Sequence, residues 1–325
     1  MKAIRRTAAA AAVTGLLATT LVACGSGGDS SASADSVTIG YPGGLGPGDV
    51  PSALALEHLT EQGYETDFIE FDSPDVQTQA LLRGDVNFAA MGPATVMSAN
   101  INGADLKMIS NDVRNDLQIV VSPDVNECAD LDGQTVAYHS EGSTSTAHLK
   151  RWLSDTCPEA TPEFMVISGS ANRATALLEG QIAGTVVRLE DWIPAIRGND
   201  DRAKVLVSLS EDQSELLAHT IATTTDTLEG NTQLAEDYIA ALQLELDAMY
   251  EDPAAYAERA AELLGTDATE LTEVYEQLVE LEIFPSQVGI DMEEVGATLE
   301  FYQENGSIPE GELSAEDVAD DRFNA

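Results

Sequence analysis

Positive charge is scarce in this 325-residue chain: 15 Lys and Arg stand against 57 Asp and Glu, a formal net charge of −42. So acidic a surface cannot neutralise phosphates, which excludes nucleic acid as a partner. Aromatic residues make up 5% of the chain, and there are four histidines. His58, His139, His148 and His219 fall in separate predicted elements, and no two stand at the i, i+4 spacing that puts both on one helical face for a metal. No metal and no cofactor is therefore expected. The patterns G-x-S-x-G, H-E-x-x-H, G-x-x-x-x-G-K-[ST], the EF-hand loop and C-x-x-C are missing, so no catalytic residue is assigned and the chain reads as non-enzymatic. Nothing after residue 24 approaches the roughly 20 apolar residues that a membrane-spanning helix needs. No run recurs at a fixed period, which argues against a solenoid or propeller.

What is present begins at the first residues. Lys2, Arg5 and Arg6 lead an Ala- and Leu-rich run over 8–17, followed by Leu21-Val22-Ala23-Cys24. Charge, then an apolar stretch too short to span a bilayer, then small residues is the order of an export signal over 1–24. Ala23-Cys24 resembles the lipobox of bacterial lipoproteins, which implies that Cys24 is lipidated and becomes the new N-terminus. The alternative is an ordinary cleavage site with a cysteine beside it. Residues 25–36 are Gly, Ser, Ala and Asp without apolar periodicity and suit a flexible tether. The expected location is the cell envelope, lipid-anchored at the extracytoplasmic face of the plasma membrane. Without the three cations of the signal, 12 Lys and Arg face 57 acids, a formal charge of −45 that favours a soluble monomer and suits a saline habitat. Of the three cysteines, Cys128 and Cys157 remain; export permits a disulfide between them, and two buried thiols fit the sequence as well.

From residue 37 onward, short β-branched runs alternate with amphipathic stretches, the pattern of an α/β fold with mostly parallel strands. Strands are predicted at 37–41, 66–71, 86–91 and 106–110. The helices between them cover 49–63, the segment capped by Ser73-Pro74 and stopped by Gly84, and the segment from Gly92-Pro93-Ala94 to Asn102-Gly103. A second set follows 117–121, with strands at 134–138, 163–167, 185–188 and 204–209 and helices at 143–154 and 171–179. Two units of this size predict two lobes. From 232 the pattern is helix after helix with apolar stripes that face a core. The acidic tail at 309–325 has few large apolar residues and is expected to be disordered.

Four segments follow predicted strands and open helices, where ligands of open α/β sheets bind and where unpaired N–H groups and the positive dipole end favour an anion. They are the glycine-rich 43–48, Gly92-Pro93-Ala94, Ser140-Glu141-Gly142-Ser143-Thr144-Ser145, and Arg188-Leu189-Glu190-Asp191. Ser143, Thr144 and Ser145 form a hydroxyl cluster at a helix start; one of them suffices for an N-cap, and the cluster equally suits an anion. Arg188, one of few cations and at a strand end, can grip a carboxylate or sulfonate bidentately, or pair with Glu190 or Asp191. Arg114 is a weaker candidate of the same kind, with a solvated loop as its alternative.

The chain resembles the solute-binding lipoproteins of ABC importers, in particular the nitrate/sulfonate/taurine-type branch that includes thiamine-precursor binders. The residues that carry this are Val-Thr-Ile-Gly-Tyr at 37–41, Ala-Leu-Leu-Arg-Gly-Asp-Val-Asn-Phe-Ala at 80–89, Gly-Pro-Ala at 92–94, Asp-Leu-Asp-Gly-Gln-Thr-Val-Ala at 130–137, Gly-Ser-Thr at 142–144 and Ala-Leu-Leu-Glu-Gly-Gln-Ile-Ala-Gly at 176–184. The resemblance implies a two-lobed type II periplasmic-binding-protein fold with a ligand cleft between lobes and a helical C-terminal part. Lobe 1 would comprise 37–117 and 222–308 and lobe 2 118–221, with crossovers near 117–121 and 218–223. It further implies ligand contacts at Tyr41, Gly44, Gly92, Pro93, Ala94, Ser143 and Thr144, and delivery of a small solute to membrane permease subunits. Relatives often have Asp-Ala where Ala183-Gly184 stands here, and the following 185–191 varies with the ligand. An anionic organic solute, sulfonate- or carboxylate-like, is the expected cargo. Its rivals are a neutral or cationic solute such as a thiamine precursor held by Tyr41, Tyr138 and Trp192, an envelope enzyme, whose cysteine-rich motif is missing, and a sensor subunit.

Overall fold

The computed structural model describes residues 36–141 and 143–324. The expected signal, Cys24 and all of the tether but its last residue lie outside the described residues. The first α/β set comprises β1 (Ser36–Pro42), α1 (Val50–Gln62), β2 (Glu65–Phe71), α2 (Pro74–Arg83), β3 (Phe88–Met91), α3 (Pro93–Ile101) and β4 (Leu106–Val113). The second comprises β5 (Leu117–Val121), β6 (Thr135–Tyr138), α4 (Thr144–Thr156), β7 (Glu163–Val166), α5 (Ser170–Leu178), β8 (Gly184–Arg188), α6 (Leu189–Ile196), β9 (Lys204–Ser208) and α7 (Leu209–Asp212). The chain then returns through β10 (His219–Thr224) and ends in α8 (Thr225–Gly230), α9 (Thr232–Glu251), α10 (Pro253–Leu264), α11 (Ala268–Glu280), α12 (Met292–Glu304) and α13 (Ala315–Val318).

Local chemistry sets many of these boundaries. Ser73 accepts a hydrogen bond from the Val76 amide and Pro74 occupies the first turn of α2, while Gly84 ends it at φ 73°. Gly63 ends α1 the same way at φ 104°.

Each lobe is built on one five-stranded sheet, in the orders β2-β1-β3-β10-β4 and β7-β6-β8-β5-β9. The two orders are equivalent. In each, one strand runs antiparallel to its neighbours, β10 in the first and β5 in the second, and that strand is the one the chain forms on arriving from the other sheet. The crossovers are therefore 114–116 and 213–218, not the expected 117–121 and 218–223: those β-branched runs pair within sheets, leaving the links before them to change lobe.

Apolar residues from α1, α9, α10 and α11 cover one face of the first sheet, around Phe88 stacked on Tyr238 at 4.5 Å. Cys128 and Cys157 of the second lobe are joined by a disulfide, with Cα atoms 5.8 Å apart. Leu189 and Ile193 of α6 bury into the core of the first lobe, so the lobes touch.

The tail corrects an expectation. Over 309–324 the chain is ordered: Val318 and Phe323 are buried, Ala319 bridges Met108 of β4, and the Asp320 amide donates to the Met108 carbonyl at 2.9 Å. Two apolar anchors plus backbone pairing to an edge strand suffice to order a segment whose composition is polar.

Candidate functional site

The carboxyl ends of β1, β3, β6 and β8 and the helix starts that follow them open onto one cavity of about 1550 Å³. Gln77 of α2 supports the strand ends from behind: the buried amide donates to the Gly40 and Ala90 carbonyls at 2.9 and 2.8 Å, tying β1 to β3 just before both strands release into cavity loops. Gly92 then lets the lobes approach, since a Cβ there would stand 2.6 Å from Thr144 Oγ1.

Of the residues predicted to bind, Tyr41, Gly44, Gly92, Ala94, Ser143, Thr144, Ser145 and Arg188 line this cavity. Tyr41 does so with little freedom: its ring is buried, and its hydroxyl pairs with Ser52 Oγ at 2.9 Å. Pro93 is buried at the first turn of α3 and is not part of the lining. Arg114 is exposed outside the cavity, where its charge acts on Glu294; its amide, donating to the Ile283 carbonyl at 2.8 Å, fixes it at the crossover. Tyr138 and Trp192 do not line the cavity; the Tyr138 hydroxyl is bound by Glu141 and Trp192 packs in the second lobe's core. Ser143 acts as the N-cap of α4, accepting from the Thr146 amide, and Thr144 and Ser145 present the remaining hydroxyls.

Arg188 is paired with acids of its own chain. Nε donates to Asp116 Oδ2 at 3.0 Å, and Nη1 forms an ion pair with Glu190 Oε1 at 2.7 Å. The segment after it is the first turn of α6, which aims Glu190 across the cleft to accept from the Gly48 amide at 2.5 Å. Gly48 and Gly46 make this fit: a Cβ on Gly48 would stand 2.6 Å from Arg188 Nη2, and one on Gly46 2.9 Å from Glu190 Oε1. Burial outweighs the attraction of Arg188 and pushes Glu190 up to about 8, with Asp116, Asp49 and Asp191 adding to the rise. Asp116 and Asp49 are raised by burial too, and Asp112 is pushed up to about 7 by burial and by the charge of Asp49. The surroundings of Arg188 are thus a carboxylate-rich cluster around one guanidinium.

Close to Arg188, whose amide donates to Ser170 Oγ at 2.8 Å on the first turn of α5, stands a residue that sequence reasoning passed over. Arg173, on the first turns of α5, is 2% exposed and lines the cavity. Nε donates to the Val186 carbonyl at 2.9 Å and Nη1 to the Ile167 carbonyl at 3.1 Å, which pins the guanidinium between the ends of β8 and β7. Nη2 makes no hydrogen bond among the described residues, and no described carboxylate comes within ion-pair distance. Burial pushes Arg173 down to about 10, partly offset by Asp191, so it stays charged at neutral pH. His139, also on the lining, is kept neutral by burial and by Arg173. Among the described residues no group of His, Cys, Asp and Glu is arranged to hold a metal, and no helix is long and apolar enough to cross a membrane.

The family model described as NMT1/THI5 like matches residues 52–256 of this chain. No curated protein sequence matches it. Among solved structures it is similar to the periplasmic aliphatic sulphonate binding protein SsuA from Escherichia coli, with a TM-score of 0.69 and 17% identity over 88% of this chain and 92% of that one. The alkanesulfonate-binding protein SsuA from Xanthomonas axonopodis pv. citri, bound to MOPS, gives a TM-score of 0.66 and 19% identity over 87% and 98%. The periplasmic nitrate-binding protein NrtA from Synechocystis gives 0.67 and 11% over 89% and 87%. At these identities the likeness is one of fold, the fold of the periplasmic binding proteins.

Proposed function

The chain belongs to the NMT1/THI5-like family, and from that premise we propose that it is the solute-binding component of an ABC importer, a receptor rather than an enzyme. It holds a small anionic organic solute, sulfonate- or carboxylate-like, between its lobes and delivers it to a membrane permease. The observation that carries this reading is the convergence, on one cavity of about 1550 Å³, of strand ends and helix starts from both lobes. A cavity walled by two sheets whose chain connections are 114–116 and 213–218 suits hinge closure around a solute. The sulfonate and nitrate that appear in the names of similar structures support the anionic class. So do the hydroxyls of Thr144 and Ser145 at the start of α4 and the uncompensated charge of Arg173. Tyr41, Gly44, Gly92, Ala94, Ser143, Thr144 and Ser145 are the proposed contacts.

Lipidation at Cys24 completes the proposal: it would hold the receptor beside the permease and raise the effective concentration without new contacts. A Cys24→Ala protein should bind solute as the parent does and fail to support uptake by whole cells.

One observation favours a second reading. Asp49, Glu190 and Asp191 line the same cavity, and carboxylates suit a cationic solute. A thermal-shift screen of sulfonates, carboxylates, nitrate, amines and vitamin precursors separates the two. A bound solute at 100 times its Kd adds about 2.7 kcal/mol of stability. Stabilisation by anions alone supports the first reading, stabilisation by amines alone the second, and turnover of any hit would overturn both.

A further inference from the structure

A buried guanidinium costs several kcal/mol of desolvation unless something compensates it. Of the 12 Lys and Arg among the described residues, three line the cavity: Arg83, Arg173 and Arg188. Arg83, exposed, pairs with Asp85, and Arg188 pairs with Asp116 and Glu190. Arg173 has two backbone carbonyls and no carboxylate. Two carbonyl dipoles orient a guanidinium without neutralising it, so the site holds a directed, buried positive charge whose third nitrogen is unused on the cavity side.

The same cavity carries hydroxyls that can serve a negative group. Ser170, on the first turn of the same helix, lines the cavity, as do Thr144 and Ser145. The backbone of Gly169, at φ 84°, is held by its amide donating to His139 Nδ1 at 3.2 Å, which fixes the start of α5. Asp191 is the one carboxylate whose charge reaches Arg173, and it does so through space.

We propose that Arg173 is the specificity-determining residue of the cavity: its free Nη2 takes an oxygen of a carboxylate or sulfonate head, and this contact selects anions over neutral molecules of the same shape. Arg188 has no such part. The proposal rests on the anionic-solute reading above, and it says which residue makes the choice. Because Arg173 is held by backbone carbonyls rather than by an acid, its removal leaves two carbonyls without their donor but no orphaned carboxylate, a smaller loss to the fold than at Arg188.

The test is calorimetric titration of a carboxylate and a sulfonate that stabilise the parent protein, each beside its uncharged amide or sulfonamide. The parent should prefer the acids at least 10-fold. Arg173→Gln should lose about 10- to 100-fold on the acids and leave the amides unchanged, so that the preference disappears. Arg173→Lys should recover part of it, and Asp191→Asn should tighten binding of the acids. Melting curves of all variants check that they fold. If Arg173→Gln keeps the parent's preference, the assignment to Arg173 is wrong while the anionic reading stands. If the parent binds the amides or amines and none of the acids, the anionic reading itself is wrong.

Discussion

Two arginines end up on one cavity in opposite electrostatic circumstances. Arg188 has two direct carboxylate partners and feels Asp49 and Asp191 as well; burial alone would lower its pKa, and these acids raise it instead. Arg173 is buried without a carboxylate partner, and its pKa falls. The difference teaches that a cation near a ligand site is informative only after its own chain's charges have been subtracted. Around Arg188 the subtraction leaves an excess of carboxylate, which closes the lobes on each other through Glu190 and Gly48. At Arg173, a few residues away across α5, it leaves a positive charge for something else to meet.

The largest effect that can break this comparison is the loss of Arg188. Removing one partner from a buried charged cluster strands the others, here Asp116 and Glu190, at a cost of about 3–5 kcal/mol. Arg188→Ala should therefore lose that much stability in urea, and Arg173→Gln less, about 1–2 kcal/mol for two carbonyls deprived of their donor. Equal losses would mean that the two guanidinia serve the fold alike. A smaller effect is expected at the glycine that lets the cluster meet the other lobe. Gly48→Ala forces a methyl against Arg188 and Glu190 and should cost about 1–3 kcal/mol, whereas Gly44→Ala, whose Cβ would meet only Glu70 at 3.7 Å, should be close to neutral.

The pH dependence sharpens the same contrast. Glu190 is pushed from 4.5 up to about 8 and Asp112 from 3.8 up to about 7, so between about pH 4.5 and 8 the native state binds more protons than the unfolded chain. Stability then falls as pH rises through that window, because the slope follows the protons bound by the unfolded chain minus those bound by the native state. Thermal midpoints should be higher near pH 5 than near pH 8, and Glu190→Gln should flatten the decline. A decline of undiminished size in that variant would move the cause elsewhere.

Sequence patterns exposed the elements that local chemistry builds. Ser73-Pro74 and Gly84 bracket α2 because a cap and a stop act within one turn. The strand, glycine-rich loop and helix over 36–62 were legible for the same reason, and with them the cavity residues Tyr41 and Gly44. What sequence hides is long-range compensation. The Glu190 partner of Arg188 lies two residues away and was foreseen as an alternative; Asp116 lies 72 residues away and was not. Arg173 sits in a stretch of ordinary helical composition, and only the packing of α5 between β7 and β8 buries it. The tail misled for the converse reason: Val318 and Phe323 look sparse until β4 supplies a surface for them.

The smallest expected effect concerns how a solute reaches Arg173. A chain of net charge −42 repels an anion at long range, and salt screens that repulsion over about 8 Å at physiological ionic strength. The contact with Arg173, inside a cavity and 2% exposed, is screened far less. Between 0.05 and 0.5 M of an inert salt the association rate of a bound sulfonate should thus rise about 2- to 3-fold, with little change in its dissociation rate. An association rate that falls with salt would mean that the solute is steered by attraction, hence that it is a cation drawn to Asp49 and Asp191 rather than an anion held by Arg173.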